Sequence, residues 1–67
     1  MNHYHIIVFH SEEDGGYIAE IPDLKGCNAF GDTPEKAVSE VLTVQNLWLE
    51  VAKEDNMAIP TPRYRPY

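Results

Sequence analysis

The chain has 67 residues, of which eleven are acidic and five are basic, so its formal net charge is −6. Lys and Arg supply most of a protein's affinity for phosphates. The charge therefore argues against nucleic acid as the main ligand and favours a basic partner. One domain of this length buries only about 60% of its unfolded surface, so a large core is excluded and at least a dimer is expected. The single cysteine excludes an internal disulfide framework, and with neither a membrane-length apolar run nor a secretory signal we expect a soluble cytoplasmic protein.

The first predicted strand covers residues 4–9, which are mostly β-branched or aromatic. Odd and even positions alike carry apolar side chains, which is typical of an inner strand that is covered on both sides. Residues 11–16 then form the turn of a hairpin, because Gly15 and Gly16 can adopt positive φ.

The second predicted strand covers residues 17–21 and places Tyr17, Ala19 and Ile21 on one face. A loop follows, in which Pro22 and Gly26 bend the chain. A short third strand is predicted over residues 27–30.

A long helix is the clearest predicted element. Thr33 can cap its first turn, Pro34 suits the first helical position, and Glu35 places negative charge at the positive end of the helix dipole. The apolar stripe runs to residues 55–56, so the helix has roughly 20 residues and a length of ~30 Å, against ~17–20 Å for the strands. We therefore expect its end to extend beyond the sheet.

The residues after the helix are predicted to add a short edge strand over residues 57–59, which Pro60 and Pro62 then terminate. We assign residues 1–62 to one domain and residues 63–67 to a flexible tail. The tail alternates arginine with tyrosine, which can stack on bases or reach a partner, but a disordered terminus is the commoner case.

The predicted fold class is α+β: an antiparallel three- or four-stranded sheet with one long helix on one face. One helix covers one sheet face, whereas the first strand offers apolar residues to both. We expect the uncovered face to meet another chain.

Three motifs stand in order along the chain: Asp-Gly-Gly-Tyr at residues 14–17, Pro-Asp-Leu-Lys-Gly-Cys at residues 22–27 and Gly-Asp-Thr-Pro-Glu at residues 31–35. With these motifs, the chain resembles the HicB-like family, the antitoxin halves of HicA/HicB toxin–antitoxin pairs. Lys25 and Lys36 depart from the residues that are common in the family, on turns where they alter local charge. The resemblance implies a truncated ribonuclease H-like fold.

The resemblance also implies a function: an antitoxin that binds a small, basic HicA-type toxin and blocks its cleavage of mRNA by covering the active-site surface. The acidic turns can pair with Lys and Arg of such a partner, although solvated acids are also common on small domains. We predict that the partner contacts Glu12, Glu13, Asp14, Tyr17, Glu20, Asp23, Asp32 and, on the helix, Trp48.

Two alternatives stay open. Many members of the family continue into a DNA-binding domain, which the Pro-rich end of this sequence does not resemble, so a stand-alone homo-oligomeric adaptor without a toxin is the second hypothesis. The oligomer would be a dimer or a tetramer. The third hypothesis is a residual metal-dependent nuclease.

Nuclease chemistry of the ribonuclease H type needs clustered carboxylates, one of them on the central strand, around two metal ions. Residues 4–9 contain no acid, and the carboxylates fall in turns instead. We therefore expect no enzyme activity and no cofactor.

His3 and His5 share a strand face, where they could bind a metal with Cys27 as a third ligand. Structural zinc sites usually supply four ligands, so ordinary histidines are the more common explanation and no metal is expected. Gly15 and Gly16 precede a strand rather than a helix, which argues against a phosphate-binding loop.

Overall fold

The computed structural model describes residues 4–60. Three strands, β1 (Ile7–Ser11), β2 (Gly16–Glu20) and β3 (Asn28–Gly31), are followed by one helix, α1 (Pro34–Glu54). The strands form an antiparallel sheet in chain order, with β2 in the centre. The α+β class with one long helix is thereby confirmed. The predicted strand over residues 57–59 is wrong, since those residues form no strand.

The prediction of an inner first strand is also wrong for the single chain. β1 starts three residues later than predicted, and it lies at one edge of the sheet. A hairpin pairs β1 with β2, and the short loop of residues 21–27 brings β3 to the other edge of β2. Strand order therefore follows from the connections, and the apolar pattern of β1 alone does not determine it.

The hairpin pairs Ile7 with Glu20 at one end and Ser11 with Gly16 at the other. Gly15 has a φ of 72°, and its N–H donates to the Ser11 carbonyl oxygen over 3.0 Å. Only a residue that tolerates positive φ closes the turn in this way. Tyr17 and Ala19 on β2, and Ile21 directly after it, all pack in or against the core, as predicted for residues 17–21, although β2 itself covers Gly16–Glu20.

The loop between β2 and β3 folds back on itself and completes the core. The Ile21 N–H donates to the Cys27 carbonyl oxygen over 2.9 Å, and the Leu24 and Cys27 amides donate within the loop over 3.0 Å each. All three side chains are buried. The loop's backbone is thus internally hydrogen-bonded while its apolar side chains point inward.

The helix begins as its sequence predicts. Thr33 is the N-cap, its hydroxyl accepts from the Lys36 N–H over 3.1 Å, and Pro34 occupies the first turn. The helix ends at Glu54, close to the predicted end. At its start it approaches β3 so closely that a Cβ on Gly31 would overlap the backbone of Ala37.

The core is small and lies between α1 and the sheet, mainly over β2 and β3. Its buried apolar residues are Tyr4, Ala19, Ile21, Leu24, Cys27, Ala37 and Val41. The Tyr4 hydroxyl donates a hydrogen bond to the Pro60 carbonyl oxygen, so the segment after the helix is held against the residues before β1. Burial raises the pKa of the Tyr4 hydroxyl, and the Asp23 carboxylate adds to the effect.

Candidate partner-binding surfaces

The hairpin end of the sheet carries four acidic residues. Glu12, Glu13 and Asp14 lie in the β1–β2 turn, and Asp32 directly follows β3. Because Tyr17 pairs with Gly31, the end of β3 lies beside the start of β2, at the same end of the sheet as the turn. All four residues are exposed. We call them the hairpin-end acidic surface.

Asp14 shapes the turn that presents this surface. The Ser11 hydroxyl donates to Asp14 Oδ2 over 2.9 Å, and the Asp14 N–H approaches the Ser11 hydroxyl oxygen at 3.4 Å. Among the described residues, Glu12 and Glu13 make no hydrogen bond or ion pair. Their carboxylates are therefore available to a partner without loss of an internal contact.

Two of the predicted contact residues lie at the other end of the sheet. Glu20 pairs with Ile7 and Asn28, and it is half-buried. The Asp23 carboxylate lies 4.0 Å from His5 Nδ1, and its side chain is only 7% exposed. The structure thus does not bring the predicted acids together into one surface.

Tyr17 belongs to neither group of acids; its side chain lies on the helix-facing side of β2. Its ring meets the His10 ring edge-on at a centroid distance of 5.1 Å and an angle of 72°. The residue is half-buried and packs against the core. Its observed contacts are those of a structural residue.

The distal half of α1 carries an apolar groove of about 280 Å³. Trp48 forms one wall and donates from Nε1 to the Lys25 carbonyl oxygen over 2.9 Å. Leu47, Val51 and Met57 are 58%, 52% and 49% exposed. We call this the helix groove; its lining residues are Val44, Leu47, Trp48, Val51, Ala52 and Met57.

The site prediction did not include the sheet face that α1 leaves open. In the observed register, Phe9 and Phe30 flank Ile18 on that face, and Ile7 extends the apolar surface along β1. Ile7, Phe9 and Phe30 are each more than 40% exposed. The apolar character of residues 4–9 on both strand faces led us to expect that the uncovered face meets another chain, but it did not identify Ile18 and Phe30 as part of that face.

Metal and nucleophile chemistry find little support in the described residues. Within residues 4–60, no three His, Cys, Asp or Glu side chains are grouped so that they could hold a metal ion. Cys27 is buried, and burial raises the pKa of its thiol, so little thiolate forms at neutral pH. His3, the other residue of the predicted histidine pair, lies outside the described residues, as does the tail of residues 63–67.

None of the helices formed by the described residues has the length and apolar character that a membrane span requires.

Comparison with known proteins gives a family match over residues 4–64, to the model described as HicB_like antitoxin of bacterial toxin-antitoxin system. The UPF0150 protein ssl0259 of a Synechocystis strain is 43% identical over 58 residues, which cover 87% of this chain and 78% of that protein. The UPF0150 protein Ta0767 of Thermoplasma acidophilum is 30% identical over 54 residues, 81% of this chain and 78% of that protein. No solved structure gives a significant match.

Proposed function

The chain belongs to the family of HicB-like antitoxins of bacterial toxin–antitoxin systems, and from this membership we propose that it binds a small, basic HicA-type toxin. Binding would neutralise the toxin by covering the surface with which it cleaves mRNA. The chain would then act as a protein-binding module.

The hairpin-end acidic surface is the observation that carries this proposal. Its four exposed carboxylates, those of Glu12, Glu13, Asp14 and Asp32, lie at one end of the sheet in a chain of net charge −6. An acidic patch attracts a basic partner over a distance and increases the rate of productive encounters. A toxin that uses Lys and Arg to hold RNA would present the complementary charge.

The turn itself favours a specific contact over a diffuse one. The hydrogen bonds between Ser11 and Asp14 and the Gly15 amide fix the backbone of the turn. A partner therefore meets carboxylates on an ordered backbone, and less conformational entropy is lost on binding.

The other predicted contact residues have different standing in this proposal. Trp48, as a wall of the helix groove, offers an apolar anchor of the kind enriched at interaction hot spots. Tyr17, Glu20 and Asp23 stay predicted contacts; Tyr17 and Glu20 are half-buried, and the Asp23 side chain is largely buried beside His5. We rank them below the hairpin-end acidic surface.

We further propose that the chain is not a nuclease. β2, the central strand, carries one acid, Glu20, but it lies at the opposite end of the sheet from the hairpin-end acids, which are in turns. Within residues 4–60, no three carboxylate, His or Cys side chains are grouped around a possible metal position. Purified protein with Mg²⁺ or Mn²⁺ should leave RNA and RNA–DNA hybrids intact. Cleavage that disappears on replacement of Asp14, Asp23 or Asp32 would contradict this proposal.

A stand-alone homo-oligomeric adaptor is the second candidate function. The exposure of Ile7 and Phe9 on β1 favours it, because an isolated chain leaves these side chains in water. The two candidates differ in one respect: only an antitoxin needs a basic partner.

Co-expression with the basic product of an adjoining gene tests the antitoxin proposal. The chain should restore growth and intact mRNA in cells that express the toxin, and the two proteins should co-purify. The double variant Glu12→Lys, Glu13→Lys should protect less, whereas Glu50→Lys, Glu54→Lys on the distal helix is the matched control. Equal protection by both double variants would remove the hairpin-end acidic surface from the proposal, and no protection by the wild type would remove the antitoxin function.

A further inference from the structure

β1 is exposed on both of its faces and along one edge, whereas an edge strand usually has at least one face covered. Ile7, Val8 and Phe9 are 42%, 37% and 46% exposed, although successive side chains point to opposite faces. Within residues 4–60, no strand pairs with the edge of β1 that faces away from β2. Both faces and one edge of an apolar strand are thus left open.

Among residues 4–60, nothing supplies the features that usually prevent strand pairing at this edge. Natural edge strands carry lysine or proline, are interrupted by bulges, or are covered by other elements. β1 has the sequence Ile-Val-Phe-His-Ser, and its register with β2 is continuous over all five residues. Its outer N–H and C=O groups are therefore presented in a regular row that another strand can pair with.

We propose that β1 pairs antiparallel with β1 of a second copy of this chain, so that two three-stranded sheets join into one of six strands. In such a two-fold contact the same strand serves both sides, so one sequence satisfies both partners. Six strands is a common number for a β-sheet in globular proteins. The apolar pattern that predicted an inner strand then describes the dimer, in which β1 and its copy are the two central strands.

Charge favours a second copy over a basic protein as the occupant of this edge. β1 contains no Asp or Glu, so it offers no carboxylate that could pair with Lys or Arg. Each copy has a net charge of −6, and two such chains approach with the least repulsion along an acid-free segment. Antiparallel pairing also puts the two hairpin ends at opposite ends of the joined sheet, and both hairpin-end acidic surfaces stay accessible.

The size of the contact requires side chains as well as backbone. A stable interface covers roughly 800 Å² on each partner, more than the edge of a five-residue strand supplies. Ile7 and Phe9 on the open face and Val8 on the helix side, all exposed and all on the strand that meets its copy, supply apolar area at this contact. A lysine at Phe9 should consequently weaken the dimer.

Sedimentation velocity of the full chain, without any toxin, tests the inference independently of the antitoxin function. The wild type should be a dimer in the micromolar range, and Phe9→Lys should raise its dissociation constant by about 10²-fold or more, as loss of a central apolar contact does. Phe9→Thr, in which threonine keeps a high strand propensity, should raise the dissociation constant to a smaller extent. Leu47→Lys is the matched control, because Leu47 is even more exposed but lies in the helix groove.

Circular dichroism checks that each variant is folded, and hydrogen exchange of the wild type provides a readout that needs no variant. The outward amides of β1 should be protected at high protein concentration and lose protection on dilution. A monomeric wild type at high micromolar concentration would overturn the inference. So would dissociation caused by Leu47→Lys but not by Phe9→Lys, or β1 protection that does not depend on concentration.

Discussion

Trp48 Nε1 donates a hydrogen bond to the Lys25 carbonyl oxygen over 2.9 Å, and this bond links the distal half of α1 to the loop between β2 and β3. The loop buries Leu24 and Cys27 directly beside Lys25. The bond fixes the indole ring of this half-buried residue against the loop. Trp48 therefore stabilises the fold and forms a wall of the helix groove at the same time.

Replacement of Trp48 by Phe should remove this hydrogen bond and keep an aromatic ring. We expect a loss of about 1 kcal/mol in the free energy of unfolding, the usual net value of such a bond. Urea denaturation measures it. Leu47→Ala on the neighbouring, more exposed position is the control and should change stability by less than about 0.5 kcal/mol. Equal losses in the two variants would show that the hydrogen bond to Lys25 contributes nothing.

Replacement of Thr33 by Ala should destabilise the start of α1. The Thr33 hydroxyl accepts from the Lys36 N–H, and loss of such a cap typically costs about 1 kcal/mol. Thr33→Ser should retain most of the stability. Thr43 provides a matched control, because its hydroxyl bonds only to the Ser39 carbonyl oxygen in mid-helix, where such a bond gives no capping benefit. A Thr43→Ala variant that loses as much stability as Thr33→Ala would contradict the capping role.

Gly31→Ala should destabilise the packing of β3 against α1. A Cβ there would overlap the backbone of Lys36 and Ala37, which cannot rotate away as a side chain can. We expect a loss of about 1–3 kcal/mol, the range for overpacked sites. At Gly26, by contrast, a Cβ would meet open space and only the φ of 77° is unfavourable. Gly26→Asn, which tolerates that φ, should therefore cost less than Gly31→Ala in the same thermal denaturation experiment.

Tyr4 should make stability depend on pH at the alkaline end. Burial, and then the Asp23 carboxylate, raise the pKa of the folded Tyr4 hydroxyl above its ordinary value of 10.0. The unfolded chain loses this proton first, so the folded state binds more protons and stability falls as pH rises above about 10. Tyr4→Phe should show a shallower decline over that range in denaturant titrations. An identical slope in both proteins would show that Tyr4 does not contribute.

The sequence predicts the local elements of this fold better than their arrangement. Thr33, Pro34 and the apolar stripe define α1 because capping and periodicity are local properties. Whether β1 is an inner or an edge strand depends on long-range pairing, and its apolar pattern is compatible with cover from another chain. The acids of the proposed site were recognisable as turn residues, but only the register shows that Asp32 joins Glu12, Glu13 and Asp14 while Glu20 and Asp23 lie at the far end.

The kinetics of partner binding give the sharpest test of the hairpin-end acidic surface. Glu12→Lys with Glu13→Lys reverses two exposed charges without removing the contacts between Ser11 and Asp14, so the turn should keep its shape. Electrostatic steering raises association rate constants from roughly 10⁵–10⁶ to 10⁸ M⁻¹s⁻¹ or more and weakens as salt screens it. Wild-type association with a basic toxin, measured by stopped flow, should slow as salt increases, and the reversed protein should associate slowly with little dependence on salt.

Glu50→Lys with Glu54→Lys changes the net charge equally on the distal helix and should retain most of the wild-type rate. If this control slows association as much as the hairpin variant does, net charge alone steers the partner and the contact has to be sought elsewhere, first at Trp48 in the helix groove.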